Sequence, residues 1–395
     1  MANALTGTNS LPGDLNPGAH IAPVFRYEQS ALSSTPEMIP PLPLGFRLRW
    51  KAEGRAASHF EHLMHDKSSF KSEADFIAWI RRRAPRRVAG LTLGIGDDAA
   101  LVDVPPGREL ILTTDMSIEG VHFTSILHPP QAVGHRALAR SLSDIAAMGG
   151  TPRYSLISLA ASRRTGRAWL EGFFDGLFAL ARRFAVVVIG GDTALVNGPI
   201  AIDVIVAGEV PRGRALRRSG AKPGDRIFVS GRLGMAALGL RLLPSRTRVR
   251  KPVERAAIRA HLFPQPQCAL GRFLSEHHLA SALMDLSDGL SIDLRRLCDA
   301  SRVGAGLLAD RIPTPPIPDA VDALGLALHG GEDYQLLFTV SAAKASKIPR
   351  QFGRIPLHCI GEICASRGID MVTSDGKTLP VETLGYDHFS RISRP

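Results

Sequence analysis

Four cysteines in 395 residues, with no CxxC pair among them, leave neither a disulfide framework nor a zinc site to read. Cys268, Cys298, Cys359 and Cys364 therefore predict a reducing compartment, and the cytoplasm is the expected location. No stretch approaches ~18 uninterrupted apolar residues, which argues against a transmembrane helix and a membrane partner. Lysine is scarce as well. Only 8 of the 48 basic residues are lysine, leaving 40 arginines in a chain of formal charge +11. That skew reads as composition rather than as a nucleic-acid surface. The run 81–87 holds five arginines in seven residues without interleaved aromatics, as a solvated helix end would. No nucleic-acid partner is expected. What remains is a globular balance, 45% hydrophobic and 22% charged, over a length that suits two ordinary domains.

Residues 1–69 stand apart, with Pro36, Pro40, Pro41 and Pro43 and no sustained helical or strand period. They lack the pattern of a signal peptide, and Asp14, Glu28 and Glu37 argue against a transit peptide. The expectation is a disordered extension or a start mis-assigned upstream of Met64, with Met64 favoured. Beyond residue 90 the pattern alternates strand and helix. Strands are predicted at Leu110–Leu112, Tyr154–Ala160, Val186–Ile189, Ile202–Ala207, Ile227–Val229, Ala282–Met284 and Leu336–Val340. Helices are predicted at about 131–147, 167–183, 268–279 and 290–300, and the charged stretch Pro244–Arg259 as a surface insertion. A domain boundary is expected near residue 211, separating 70–210 from 211–395.

The informative residues are aspartates. Asp97 and Asp98 sit in a glycine turn, and Thr113-Thr114-Asp115 and Gly190-Gly191-Asp192-Thr193 each read as the end of an apolar strand. Asp285-Leu286-Ser287-Asp288-Gly289 ends a third strand, and Gly330-Gly331-Glu332-Asp333 precedes a fourth. One aspartate before glycine is ordinarily a turn former or cap. Five such loops are harder to read as five independent turns, since loops at strand ends are where α/β folds bind ligands. Converging carboxylates repel unless a cation neutralises them, and oxygen ligands without Cys or His select Mg²⁺ or Ca²⁺. The EF-hand spacing is absent, so Mg²⁺ bridging phosphates is the inference. Asp144, in the last turn of a helix ended by Gly149-Gly150, faces the negative end of the helix dipole, and a bound cation would reverse that penalty.

Other phosphate devices are missing. There is no P-loop, no kinase set of glycine-rich loop, HRD and DFG, and no G-x-S-x-G elbow. The segment Gly231-Arg232-Leu233-Gly234 before a helical pattern is unspecific. The residues by themselves reach a Mg²⁺-dependent enzyme or binder of polyphosphate, with the acceptor left open.

In order, Gly94-Ile95-Gly96-Asp97-Asp98-Ala99-Ala100, Thr113-Thr114-Asp115-Met116 with Glu119-Gly120-Val121-His122-Phe123, and Leu142-Ser143-Asp144-Ile145-Ala146-Ala147-Met148-Gly149 resemble the loops of the thiamine-monophosphate kinase family. Gly190-Gly191-Asp192-Thr193, the run 218–225, Asp285-Leu286-Ser287-Asp288-Gly289, Gly330-Gly331-Glu332-Asp333-Tyr334 and Gly385-Tyr386-Asp387-His388-Phe389 continue the resemblance over about residues 70–390. This family lies in the aminoimidazole ribonucleotide synthetase-like ATP-binding superfamily. The resemblance implies a two-domain α/β (α+β) fold. Its N-terminal mixed sheet, with helices on one face, dimerises into a barrel, and an α/β C-terminal domain follows. It implies ATP-dependent phosphorylation of thiamine phosphate to thiamine diphosphate, by direct in-line transfer. By similarity Asp98, Thr113, Thr114, Asp115, Asp144, Asp192, Asp285 and Asp288 would bind several Mg²⁺ ions. Gly191, Asp192, Arg218 and Ser287 would contact ATP, while His122, Glu332 and Tyr386 would contact thiamine phosphate.

Two rivals remain for the residues to answer. Superfamily relatives that make selenophosphate or mature hydrogenases use a reactive cysteine, early in the chain or at its C-terminus. Here no cysteine precedes Cys268, and the chain closes on Ser393-Arg394-Pro395. A nucleic-acid binder would explain the charge but not the repeated carboxylates, which repel phosphates in the absence of metal.

Overall fold

The computed structural model describes residues 70, 72–85, 88–96, 99–248, 251–317 and 322–384. The expectations for 1–69, for Asp97 and Asp98, and for Tyr386 fall outside these residues. Ser72 opens the helix α1 (Glu73–Arg83) by accepting a hydrogen bond from the Asp75 N–H at 3.1 Å. Phe76, Trp79 and Ile80 recur at helical spacing and are buried, whereas Arg83 lies over the Trp79 ring and pairs with Asp175. Strands β1 (Leu91–Leu93) and β2 (Leu101–Val102) pair antiparallel.

The long strand β3 (Arg108–Ile118) alternates in exposure along its length. Ile111, Thr113, Asp115 and Ser117 face inward, and Leu110, Leu112, Thr114 and Met116 lie on the open face. Helix α2 (Pro130–Ala147) starts with proline in its first turn and ends before Gly149, whose φ of +69° closes the helix. Strand β4 (Thr151–Ser162), helix α3 (Arg167–Arg183), β5 (Val187–Val196) and β6 (Ala201–Pro211) follow. The sheet order is β3-β6-β4-β5, antiparallel except for the parallel pair β4–β5 that α3 connects. Helices α2 and α3 cross so closely that a Cβ on Gly134 would stand 1.8 Å from the Phe173 carbonyl oxygen. One on Gly176 would stand 1.9 Å from that of Gln131, so the crossing needs glycine on both helices.

The second sheet is built from β7 (Arg226–Ser230), β8 (Ala282–Leu286), β9 (Gly304–Leu308), β10 (Gln335–Val340), β11 (Gln351–Phe352), β12 (Ile355–Cys364), β13 (Ile369–Val372) and β14 (Thr378–Pro380). Its order is β14-β13-β9-β12-β7-β10-β8, with β11 on β12. Helices α4 (Met235–Leu242), α5 (Pro252–Leu262), α6 (Cys268–Glu276), α7 (Leu290–Ser301), α8 (Ala323–His329) and α9 (Ala342–Ala345) pack around it. Both faces of β7 are buried: Ile227 and Val229 enter one core with Leu294 and Leu297, and Phe228 enters the other with Phe338. All four cysteines are free.

Helix α2 is the element that positions the site. It touches β3 and β6 on one side and β8, β10 and α6 on the other. Fifteen of its 18 residues are buried, the pattern of a helix packed on every side rather than an amphipathic surface helix.

Two expectations need correction. Thr113-Thr114-Asp115 and Gly190-Gly191-Asp192-Thr193 lie inside β3 and β5, because backbone pairing continues past the apolar run to Ile118 and Val196. Those carboxylates are carried by the sheet surface and not by loops at strand ends. The stretch Pro244–Arg259 lies at the surface, with Ala257 its one buried side chain among the described residues. It contributes most of α5, which packs on α4 and buries Ala257, His261 and Leu262.

Candidate active site

Residues 136, 140 and 144 recur every four positions on α2, so they share one face of that helix. Ser143 sits beside them. At the C-terminal end, Asp144 accepts a hydrogen bond from the Thr113 hydroxyl of β3. Ser143 donates to Asp285 of β8 at 2.6 Å. One helical turn thus joins carboxylates from two sheets.

Asp115, Asp144 and Asp285 interact electrostatically across this junction. Burial and then the charge of Asp144 push the carboxyls of Asp115 and Asp285 well above the usual carboxylate range. Asp144 is also raised, chiefly by burial, with Arg218 and Arg140 among the groups that offset it. Asp285 is only 4% exposed, and Asp115 Oδ2 is buried without a hydrogen-bond partner. A buried acceptor with no donor is costly unless something outside the protein satisfies it. Arg140 Nε stands 3.7 Å from Asp115 Oδ1 while its Nη1 donates to the Met116 carbonyl at 3.0 Å.

Among the described residues no three His, Cys, Asp or Glu side chains group closely enough to enclose one ion. Mg²⁺ needs only one or two protein carboxylates, because it completes its shell with water and substrate phosphates. The donor set and the orphaned Asp115 oxygen fit such an ion.

The remaining expected ligands are placed with varying proximity. Thr114, on the opposite face of β3 from Thr113, donates to Asp203 at 2.6 Å. Asp192 is exposed on β5 and accepts from the Thr193 N–H at 2.8 Å. Its neighbour Gly191 has φ of +152°, and a Cβ there would stand 2.0 Å from the Ile157 carbonyl oxygen. Asp288 pairs with Arg296 at 2.5 Å. Ser287 accepts at its carbonyl from the Glu332 N–H at 2.7 Å, which ties two of the acidic loops together. Arg218 is exposed, and its charge reaches Asp144.

A second cluster lies at the other end of the α2 face. Glu332, with φ of +69°, pairs with the buried Arg136. Burial opposes ionisation of Glu332, but Arg136, His261 and Arg140 together more than offset it and hold the carboxyl at about 2. The side chain is 26% exposed, so it is reachable from outside. Arg136 also donates to the His122 carbonyl at 3.3 Å, and His122 Nδ1 accepts from the Ile118 N–H at 3.0 Å. The two expected substrate residues thereby share one arginine.

Several residues here were given no role by the motifs, although Asp333 and Ser143 stand within them. Asp293 accepts from the N–H groups of Ser287, Asp288 and Gly289 at 3.0–3.1 Å and so shapes that loop from inside. Asp333 caps α4 through Gly234 and Ala236, a structural role within the acidic Gly-Gly-Glu-Asp segment. Arg136, Arg140 and Ser143 had one available signal. They are polar residues at helical spacing with Asp144 in an otherwise apolar helix.

The family described as AIR synthase related protein, N-terminal domain, matches residues 96–210, and its C-terminal domain matches residues 222–373. Thiamine-monophosphate kinase of Salmonella typhimurium is 39% identical over 305 residues, covering 75% of this chain and 92% of that protein. The thiamine-monophosphate kinase structure from Stenotrophomonas maltophilia K279a is similar at a TM-score of 0.68 and 36% identity, covering 76% of this chain and 96% of that one. The structure of AaThiL complexed with AMPPCP and TMP is similar at a TM-score of 0.64 and 33% identity, covering 80% and 97%.

Proposed function

The chain belongs to the thiamine-monophosphate kinase family, and we propose that the α2 face between its two sheets is the phosphoryl-transfer site. The reaction is transfer of the γ-phosphoryl group of ATP to thiamine phosphate, giving ADP and thiamine diphosphate. The observation that carries the site assignment is the convergence of Asp115, Asp144 and Asp285 from three elements, with one buried carboxylate oxygen left unpartnered.

The acceptor is a phosphate oxygen, ionised at neutral pH, so the chain has no need of a strong general base. Its task is to bring two anions into line without mutual repulsion. Asp98, Thr113, Thr114, Asp115, Asp144, Asp192, Asp285 and Asp288 are the residues that would hold Mg²⁺. When bound, Mg²⁺ would neutralise phosphate charge and fix the phosphate oxygens relative to one another. Gly191 brings bare backbone to the nucleotide, and Asp192, Arg218 and Ser287 complete that contact. Glu332 faces the cationic thiazolium ring, with His122 and Tyr386 as the other contacts to thiamine phosphate. Transfer is direct, without a phosphoenzyme.

Two domains meeting near residue 211, in a cytoplasmic homodimer, complete the proposal. The open face of β3 supports the dimer. Leu110, Leu112 and Met116 are 45%, 65% and 54% exposed on a strand at the edge of its sheet. An 11-residue edge strand with an apolar face calls for a covering surface. A second copy's sheet, closing a barrel, supplies one.

Purified protein incubated with ATP, thiamine phosphate and Mg²⁺ should yield ADP and thiamine diphosphate on chromatography. Folded protein that forms no diphosphate across a range of Mg²⁺ concentrations would overturn the assignment.

A further inference from the structure

Behind Glu332 lies a buried histidine pair that the transfer chemistry does not use. His128 follows β3, and His261 ends α5 and is 1% exposed. Their Nε2 atoms are 3.0 Å apart. His261 Nδ1 stands 3.4 Å from Glu332 Oε2 and 3.3 Å from Arg136 Nη1. At the far end, His128 Nδ1 lies 3.2 Å from the Thr124 N–H nitrogen and 3.1 Å from the Thr124 carbonyl oxygen. Burial, and then the charge of Arg136, hold the two imidazoles down at about 4 and about 3, so both are neutral near pH 7.

A neutral imidazole carries one donor and one acceptor, so the state of one ring dictates that of its neighbour. Two proton arrangements are open to the pair, each meeting one of the two contacts at either end. In the first, Thr124 N–H donates to His128 Nδ1, His128 Nε2–H donates to His261 Nε2, and His261 Nδ1–H donates to Glu332. In the second, His128 Nδ1–H donates to the Thr124 carbonyl, and His261 Nε2–H donates to His128. His261 Nδ1 then accepts from Arg136 Nη1. Each ring carries one proton in either arrangement, and the Thr124 peptide at the far end offers no proton for interconversion, so the buried pair is fixed in one of the two. What differs is Glu332 Oε2, which is held by His261 in the first arrangement and free for an outside donor in the second. Arg136 anchors Oε1 in both.

We propose that His261 is a positioning residue for thiamine phosphate: with its proton on Nδ1 it faces Glu332 Oε2 and holds that carboxylate in the orientation the substrate meets, and His128 fixes this tautomer through its Nε2–H. This rests on Glu332 being a contact to the cationic substrate. The geometry makes the role specific to thiamine phosphate, because the pair lies at the end of α2 away from the aspartates that would serve ATP.

The test is steady-state kinetics on His261→Ala, His261→Asn, Glu332→Gln and the double variant His261→Ala/Glu332→Gln. Loss of one hydrogen bond to a carboxylate predicts an increase of about 10-fold in the KM for thiamine phosphate in His261→Ala. KM for ATP and kcat should stay within about twofold of wild type on the same reasoning. His261→Asn, whose amide N–H can stand in for Nδ1–H, should recover most of the loss. In the Glu332→Gln background His261→Ala should add nothing. An equal rise in the KM for ATP, no rescue by asparagine, or multiplying effects in the double variant would each overturn the positioning role. If Glu332→Gln alone leaves the KM for thiamine phosphate unchanged, the substrate assignment of Glu332 falls and the proposal with it. If Glu332→Gln raises that KM while His261→Ala does not, only the positioning role falls. Should His261→Ala fail to fold, ¹⁵N imidazole spectra of the wild-type protein decide. The His261 proton should reside on Nδ1, and a proton found on Nε2 would refute the positioning role.

Discussion

Replacing Asp285 by asparagine should inactivate the enzyme and stabilise its fold. Asp285 is 4% exposed, accepts from the Ser143 hydroxyl at 2.6 Å, and feels the charges of Asp144, Asp293 and Asp115. Asparagine has nearly the same shape and keeps an oxygen for Ser143. Its amide can donate to a neighbouring carboxylate, so a repulsive contact becomes a hydrogen bond. The Asp285 carboxyl is displaced upward, chiefly by burial and then by Asp144, and each pKa unit corresponds to about 1.4 kcal/mol. Neutralising it should therefore stabilise the protein at neutral pH, in the absence of metal, by on the order of 1–3 kcal/mol. That corresponds to a few degrees in Tm for a chain of this size. Turnover should fall by about 10²–10⁴, the several kcal/mol that a well-placed electrostatic partner supplies to a transition state. Scanning calorimetry without divalent ions reads the first effect, and the thiamine diphosphate assay reads the second. Adding Mg²⁺ with a non-hydrolysable ATP analogue should raise the Tm of wild type more than that of the variant. A lower Tm combined with near-normal turnover would mean that Asp285 serves the fold and not the reaction.

Two further outcomes follow from the same contacts. Leu112→Asp places a charge on the most exposed apolar residue of the β3 open face. Burying one leucine at such a contact is worth about 1.5–3 kcal/mol, so two symmetric losses should dissociate a dimer at micromolar concentration. Sedimentation velocity checks this, and a variant that sediments as the wild-type dimer would remove β3 from the interface. The histidine pair sets a pH dependence of opposite sign to that of the buried aspartates. His128 and His261 are lowered from 6.5 to about 4 and about 3, first by burial and then by Arg136. Below pH 6.5 the unfolded chain gains protons that the folded chain refuses, so stability falls as pH drops through 6.5 and continues falling toward the folded values. At pH 5 the loss is about 2 kcal/mol for each ring. Urea titrations at pH 7.5 and pH 5 should show a smaller drop for His128→Asn/His261→Asn than for wild type, and equal drops would contradict the burial argument.

Much of the fold was legible because its signals are local. The 3.6 period of Val133, Ala137, Leu138, Leu142 and Ile145 marks α2, and Gly149 marks its end, within a residue of the observed boundary. Apolar runs located seven of the fourteen described strands, though not their ends, and left out β9, β12 and β13 of the second sheet. β3 continues through Thr113-Thr114-Asp115 because β6 supplies pairing partners, and pairing between distant segments leaves no trace in either one alone. The charged stretch Pro244–Arg259 concealed most of α5 for a related reason. Only Ala257, His261 and Leu262 face inward, and three inward residues among arginines do not stand out until α4 is beside them.

The candidate site divides along the same line. Acidic residues flanked by glycine are conspicuous in a sequence, so Asp115, Asp144, Asp192, Asp285 and Glu332 could be picked out before any coordinate was known. The residues that govern those carboxylates are ordinary by composition: an arginine among forty, a serine in a helix, a histidine at a helix end. Their importance is created by tertiary contact. Arg136 is 196 positions from Glu332, and Ser143 is 142 positions from Asp285. This separation has a consequence for the charge of the molecule. A chain of net charge +11 presents to phosphate a cleft whose nearest groups are acidic, and the arginines buried with them, Arg136 and Arg140, are already engaged by Glu332 and Asp115. Overall basicity therefore cannot be what draws ATP into the site. Beyond Arg218, which is exposed and whose charge reaches Asp144, the attraction would come from divalent cations held by the aspartates. Turnover should accordingly depend steeply on Mg²⁺ concentration and only weakly on ionic strength, the reverse of what a basic groove would show.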